Sequence, residues 1–217
     1  MLNMDFNQRI AINISDMQWE TSPGKGVLRK PLARELPESG HATSIVRYEP
    51  GSSFSRHVHP RGEEILVLEG VFSDEHGDYP AGTYIRNPPG SAHSPFSQQG
   101  CDLLVKLEQF APGDTRSIRI DTRNTDWLQG QGNLQVMPLH DFEGEHTALV
   151  KWPAGEHFTA HRHFGGEEIL VLSGTFKDEH GDYPALSWIR SPHMSAHDPY
   201  VNEETIIWVK VGHLPQA

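Results

Sequence analysis

"HVHPRGEEILVLEGVFSDEHGDYPAGTYIRNPPGSAHSP", residues 57–95, is written a second time at residues 161–199 as "HRHFGGEEILVLSGTFKDEHGDYPALSWIRSPHMSAHDP". The two copies align without a gap at an offset of 104 residues, and 26 of the 39 aligned pairs are identical. A self-match of this length means two copies of one folding unit. Upstream, with a gap, Trp19, Pro31, Leu32, Thr43 and Gly51 find partners in Trp127, Pro138, Leu139, Thr147 and Gly155. A chain of 217 residues has room for two domains of about a hundred residues each. The stretch 111–124, "APGDTRSIRIDTRN", interrupts the apolar pattern with Pro, Gly and alternating charges, so the domains are expected at 1–115 and 116–217.

Each half reads as all-β. Short runs of Val, Ile, Thr, Tyr, Phe and Trp recur every eight to twelve residues with Gly, Pro or Asn between them, a strand-and-turn rhythm. In the first half strands are expected near 42–48, 55–59, 64–73, 83–87 and 102–109, with a matching set 104 residues later. Closing so many short strands into a barrel leaves no long exposed edge. Residues 1–15, with "IAINI", are spare in this scheme and are expected to add an edge strand or reach a second copy of the chain. The octapeptide "DEHGDYPA", present at 74–81 and 178–185, reads as a hairpin tip, where Gly permits positive φ and the acids suit a solvated turn.

The chemistry sits on either side of that hairpin. His57 and His59 lie two apart in an expected strand, so both imidazoles project from one face. Glu63 follows a Pro-Arg-Gly turn and shares parity with Ile65 and Val67, which face an interior. His93 arrives 34 residues after His59. The second half repeats the quartet with the same spacing as His161, His163, Glu167 and His197. Three imidazoles and a carboxylate are a donor set for a divalent transition metal, so two metal sites per chain are expected. Neutral imidazole and carboxylate suit zinc, iron, nickel, copper or manganese alike.

The spacing Gly51, His57-x-His59, Glu63, Gly70, followed by Gly82, Pro88-x-Gly90, His93, resembles the two cupin motifs. The longer phrase "EEILVLEGVFSDEHGDYPAGTYIRNPPGSAHSPF" is similar to the ChrR-type cupin of anti-sigma factors. The resemblance covers nearly all of both halves. It implies two tandem jelly-roll barrels, assigns the metal-ligand role to the two quartets and favours zinc, with iron, nickel or manganese as the other candidates. It further implies a sensor or transcription-regulatory protein that responds to metal or oxidative state and partners an extracytoplasmic-function sigma factor. The helical sigma-binding domain of those factors has no counterpart in these residues. A metal-dependent dioxygenase acting on a small organic molecule held in the barrels is the alternative, and a storage or scaffold bicupin is a third.

The remaining residues narrow the field. With 29 acidic against 18 basic side chains the formal charge is −11, which disfavours a nucleic-acid backbone as direct partner. One cysteine, Cys101, excludes an internal disulfide and fits a reducing compartment. No basic start with an apolar run opens the sequence, and nowhere do about eighteen apolar residues follow one another. A cytoplasmic protein off the membrane is therefore expected, with a homodimer as a candidate assembly. Arg86 and Arg190, in "YIRNP" and "WIRSP", are read as partners of Glu64 and Glu168, with anion anchoring as the rival reading. Cys101 is read as a buried apolar residue rather than an oxidation sensor, and His157 and His193 as surface or loop residues.

Overall fold

The computed structural model describes residues 1–216. Among them there is no α-helix, only strands and one 3-10 turn at Ile14–Asp16, and no helix is long and apolar enough to cross a membrane. The chain forms two compact units. The first takes Met1–Met4 and Gln18–Thr125, and the second takes Asp5–Met17 and the chain from Asp126 onward.

In the first unit the strands Ile118–Asp121, Thr83–Asn87, Glu63–Asp74, Cys101–Leu107, Ala42–Tyr48, Val27–Arg34 and Glu20–Thr21 lie side by side in that order, all antiparallel. Three short pairings close the barrel: His57–Val58 with Ala92–His93, Ser52–Ser53 with Phe96–Ser97, and the far end of Glu63–Asp74 with Gly77–Pro80. The strand Glu63–Asp74 serves both walls because it turns a corner at Gly70. That residue has φ 72, and a Cβ there would stand 2.0 Å from the carbonyl oxygen of Gly100, so only glycine fits. Inward-facing Ile65, Val67, Ile85, Leu103 and Val105 meet Val27, Tyr48 and Phe72 in one core. Each side chain so buried contributes about 1.5–3 kcal/mol.

The second unit repeats the plan. Its main sheet runs Ile10–Asn13, Ser187–Ser191, Glu167–Ser173, Thr205–Val211, Glu145–Trp152, Gln135–Phe142 and Leu128–Gln129. Ile169, Val171, Ile189, Ile207, Trp152 and Phe176 fill its core. Gly174, with φ 73, takes the corner role of Gly70.

Two details depart from the expectations. The linear cut at 115/116 does not describe the units, because each barrel completes its sheet with an edge strand that precedes the other repeat in sequence: Ile118–Asp121 pairs Thr83–Asn87, and Ile10–Asn13 pairs Ser187–Ser191. The spare N-terminal residues thus supply an edge strand to the second barrel. The strand expected at 55–59 shrinks to His57–Val58, since its partner Ala92–His93 is itself two residues long.

Candidate metal centres

The two-residue pairing is what brings the histidines together. His57 stands opposite His93 in register, and His161 opposite His197. His59 and His163 follow on the same side, and Glu63 and Glu167 open the long strand beneath them. In the first barrel the rings of His57, His59 and His93 are 4.8–4.9 Å apart between centroids. In the second the distances are 4.6–4.9 Å. Glu63 Oε2 lies 3.4 Å from His59 Nε2 and 3.6 Å from His93 Nε2. Glu167 Oε2 lies 3.4 Å from His163 Nε2 and 3.7 Å from His197 Nε2. All eight residues read from the sequence therefore fall into two clusters of four, each offering ligand atoms within 4.8 Å of one another.

The donors fit a cation. Ligand atoms about 2.1 Å from one tetrahedral zinc stand about 3.4 Å apart, close to the 3.4–3.7 Å already separating each glutamate Oε2 from two histidine Nε2 atoms. Nε2 of His59, His93, His163 and His197 is buried without a hydrogen-bond partner, as is Oε2 of Glu167. Leaving that many buried polar atoms unmet is costly unless a metal takes them. The tautomers agree: Nδ1 of His57 lies 2.9 Å from the carbonyl of Ser55, and Nδ1 of His161 lies 3.0 Å from that of Thr159. An Nδ1–H donated to a carbonyl leaves the Nε2 lone pair facing the cluster.

Charge follows the same plan. Burial pushes His163 down to about 3, helped by the neighbouring His197 and His161, and burial also lowers His59. Neutral imidazole is the metal-binding form. Burial acts to lower His93 and His197 too, but hydrogen bonds to Asp74 and Asp178, with Glu63 and Glu167 nearby, lift both above the ordinary histidine value. Burial pushes Glu167 up to about 7.

Asp74 and Asp178 are the functional residues that the sequence reading passed over. Asp74 Oδ2 is 3.3 Å from His93 Nδ1, and Asp178 Oδ2 is 3.4 Å from His197 Nδ1, a carboxylate–histidine arrangement that orients a ligand and strengthens it. Each carboxylate is anchored in turn: Oδ1 of Asp74 accepts from the His76 amide and the Tyr79 hydroxyl, and Oδ1 of Asp178 from those of His180 and Tyr183. These partners are all members of "DEHGDYPA". The signal was present in its letter-for-letter duplication, but sequence distance hid the contact, because His93 lies 19 residues from Asp74.

Other expectations resolve individually. Arg86 is fully buried and bonds Glu64 at 3.0 Å and Asp114 at 2.6 Å, so it is an internal ion-pair partner rather than an anion anchor. Arg190 donates to the carbonyl of Asp5 at 3.0 Å and lies over the ring of Phe6. His157 is exposed beside Asp198, and His193 accepts the Gly165 amide in its loop. Cys101 is buried.

The model of the ChrR cupin-like domain matches residues 7–111 and again 115–215. The chain belongs to the ChrR cupin-like family. No curated protein matches it. Among solved structures it is similar to a candidate dioxygenase from Nostoc punctiforme, with a TM-score of 0.80 and 14% identity over 94% of this chain and 82% of that one. A cupin 2 conserved barrel domain protein from Leptotrichia buccalis follows at 0.66 and 11%, covering 97% and 99%. Bacillus subtilis oxalate decarboxylase, a protein with Mn(II) centres, is similar at 0.64 and 16%, covering 96% and 78%. At these identities the likeness is one of fold, and it makes this ChrR-like chain a bicupin whose two His/Glu clusters could each hold a metal ion.

Each cluster forms part of a cavity wall. The first barrel encloses about 390 Å³ against Val27, Tyr48, Phe54, Ile65, Leu103 and Val105, with the quartet among the lining residues. The second holds an open pocket of about 510 Å³ against Leu134, Val150, Trp152, Phe158, Ile207 and Val209. Arg29, which also lines the first cavity, is held by Glu38 in a two-pronged pair at 2.8 and 3.1 Å.

Proposed function

We propose that this ChrR-like bicupin carries one divalent transition metal on His57, His59, Glu63 and His93 and a second on His161, His163, Glu167 and His197. We propose further that it acts on a small, largely apolar organic molecule in chemistry of the dioxygenase type. The observation that carries this reading is that the quartet lies on the wall of a largely apolar cavity, so a metal held there would be reachable by a ligand in that space. A metal bound there would supply Lewis acidity toward an oxygen-bearing substrate. The protein's part is to hold the donors, exclude water with Phe54, Ile65, Leu103 and Val105, and present the buried Tyr48 hydroxyl. Burial, with the charge of Glu63, raises the Tyr48 phenol, so it stays protonated as a donor. The likeness to a candidate dioxygenase supports the same reading.

The test is metal analysis of protein purified without a polyhistidine tag, followed by oxygen uptake against diketones, phenols and hydroxy ketones. Uptake by the ferrous protein with one of these supports the reading. Firmly bound zinc with no uptake across the panel overturns it.

Membership in the ChrR cupin-like family favours a second reading, a cytoplasmic zinc-bearing sensor in which metal occupancy or oxidative state changes a contact with an extracytoplasmic-function sigma factor. Co-purification with such a sigma factor, lost on chelation, is its direct measurement. Failure to capture one by the full chain in either metal state counts against it.

A further inference from the structure

Each barrel's edge segment sends one arginine toward its His/Glu cluster, Arg119 from within Ile118–Asp121 and Arg9 from just before Ile10–Asn13. We propose that these arginines are positioning residues for the two centres, and that they act on different ligands: Arg119 through Asn87 on Glu63, and Arg9 through Asp178 on His197. The proposal rests on the metal-centre reading above.

In the first barrel Asn87 is directly opposite Glu63 in the strand register, and its Nδ2 donates to Glu63 Oε2 at 2.8 Å. Arg119 Nη2 donates to the Oδ1 of the same amide at 2.5 Å, while its Nη1 donates to the carbonyl of Arg86 at 3.0 Å. A guanidinium can only donate, so the amide must turn its oxygen to Arg119 and its NH2 to the carboxylate. Without that constraint the amide could flip and set oxygen against oxygen. Arg119 thus decides which way Asn87 faces, and Asn87 holds the Glu63 oxygen nearest His59 and His93.

The second barrel lacks this device. The residue opposite Glu167 is Ser191, whose hydroxyl is shorter than an amide, and Glu167 Oε2 accepts no hydrogen bond. Both guanidiniums lie over the hairpin tyrosine, Arg119 over Tyr79 and Arg9 over Tyr183, each 5.4 Å from the ring centroid, but here the arginine bonds the hairpin carboxylate directly. Arg9 Nη2 donates to Asp178 Oδ2 at 3.0 Å and to the Tyr183 hydroxyl at 2.7 Å. That Oδ2 is the oxygen facing His197 Nδ1, so Arg9 fixes the carboxylate that orients His197.

The two arginines are not copies of one another. Ile118 pairs Arg86 as Ile10 pairs Arg190, which places Arg119 where the other strand has Ala11 and Arg9 where it has Ser117. The repeat therefore supplies one scaffold with two separate supports, and the centres are inequivalent in how their carboxylates are held.

The test is zinc titration of the full chain against a competing chromogenic chelator, with His163→Ala used to read the first site alone and His59→Ala the second. In the first background Asn87→Ser and Arg119→Met should each weaken zinc binding about 10–100-fold, and Arg119→Lys should restore part of it. Arg9→Met should do the same in the second background. Each arginine change should leave the opposite site within about twofold. Ser191→Asn should tighten the second site, a gain that a merely structural role does not give. Variants that bind as their parents do, or that weaken both sites alike, overturn the proposal. Should a loss variant fold poorly, the Ser191→Asn measurement decides, and no gain there overturns it. A full chain that binds no zinc at either site sinks the metal-centre reading and this proposal together, whereas two bound ions indifferent to these changes sink this proposal alone.

Discussion

Leu186 and Met194 hold left-handed backbones, with φ of 65 and 62, where the first repeat has Gly82 and Gly90 at 88 and 84. The second repeat has kept the turns and lost the glycines. A side chain in this region costs about 1–2 kcal/mol, and glycine's extra freedom in the unfolded chain returns about 0.5–1 kcal/mol of that. Leu186 and Met194 are 39% and 45% exposed, so each still buries more than half of its surface, worth about 1–2 kcal/mol. Leu186→Gly and Met194→Gly should therefore each change stability by no more than about 1 kcal/mol, the backbone relief offsetting the lost burial, read as a urea midpoint close to the parent's at unchanged slope. A large drop in the midpoint would show that the backbone at these turns carries little strain. Cys101 gives a second residue-scale outcome. Burial pushes its thiol up to about 11, so at pH 8 it should react with a disulfide reagent about a hundredfold more slowly than in the unfolded chain. The contribution of this shift to stability is complete below the ordinary thiol value of about 9 and is lost as pH rises through about 11. Fast reaction at pH 8 would reopen the oxidation-sensor reading.

At the scale of elements, the edge strands show where pattern reading stops. "IAINI" is legible as a strand from its alternation, and an edge strand was one of its two expected roles. Which edge it joins is not legible, because every open edge offers the same row of amides and carbonyls. Register settles it: Ile10 to Asn13 face Arg190 to Ser187, and Ile14, only 2% exposed, donates its amide to the carbonyl of Leu186 at 2.9 Å. Ile14→Ala should cost about 2–4 kcal/mol and should speed amide exchange across Ser187–Ser191. If protection there is unchanged while Thr83–Asn87 loosens, the strand assignment is wrong. The "DEHGDYPA" hairpin makes a related point. Its turn was readable from Gly and the acids, but its hold on the last histidine was not, since that contact depends on how the hairpin folds back over His93 and His197.

For the molecule as a whole, each quartet is complete within its own unit, so the metal content should divide cleanly. His59→Ala and His163→Ala should each remove one equivalent of two by elemental analysis. Loss of all metal from either change would mean that the centres are not independent. A metal bound by the folded state alone would add about 2.7 kcal/mol per site at a hundredfold excess of free metal over its Kd. Removing it with a chelator should lower the melting temperature by several degrees. An unchanged melting temperature, after metal loss has been verified, would place the metal outside the folded framework.

The amino-acid sequence by itself determined the duplication, the β class and the eight quartet residues. Strand parity and a hairpin-length separation act locally: His57 and His59 must share a face, and Glu63 must follow the parity of Ile65 and Val67. Only the tertiary structure decided which edge each spare strand joins, that Asp74 and Asp178 stand behind the last histidines, and that Asn87 meets Glu63 where Ser191 meets Glu167. The last was hidden in a single letter, because asparagine and serine are equally at home in the same strand. Their difference acquires chemistry only when the register sets one of them, 24 residues away in the chain, within hydrogen-bond reach of a carboxylate.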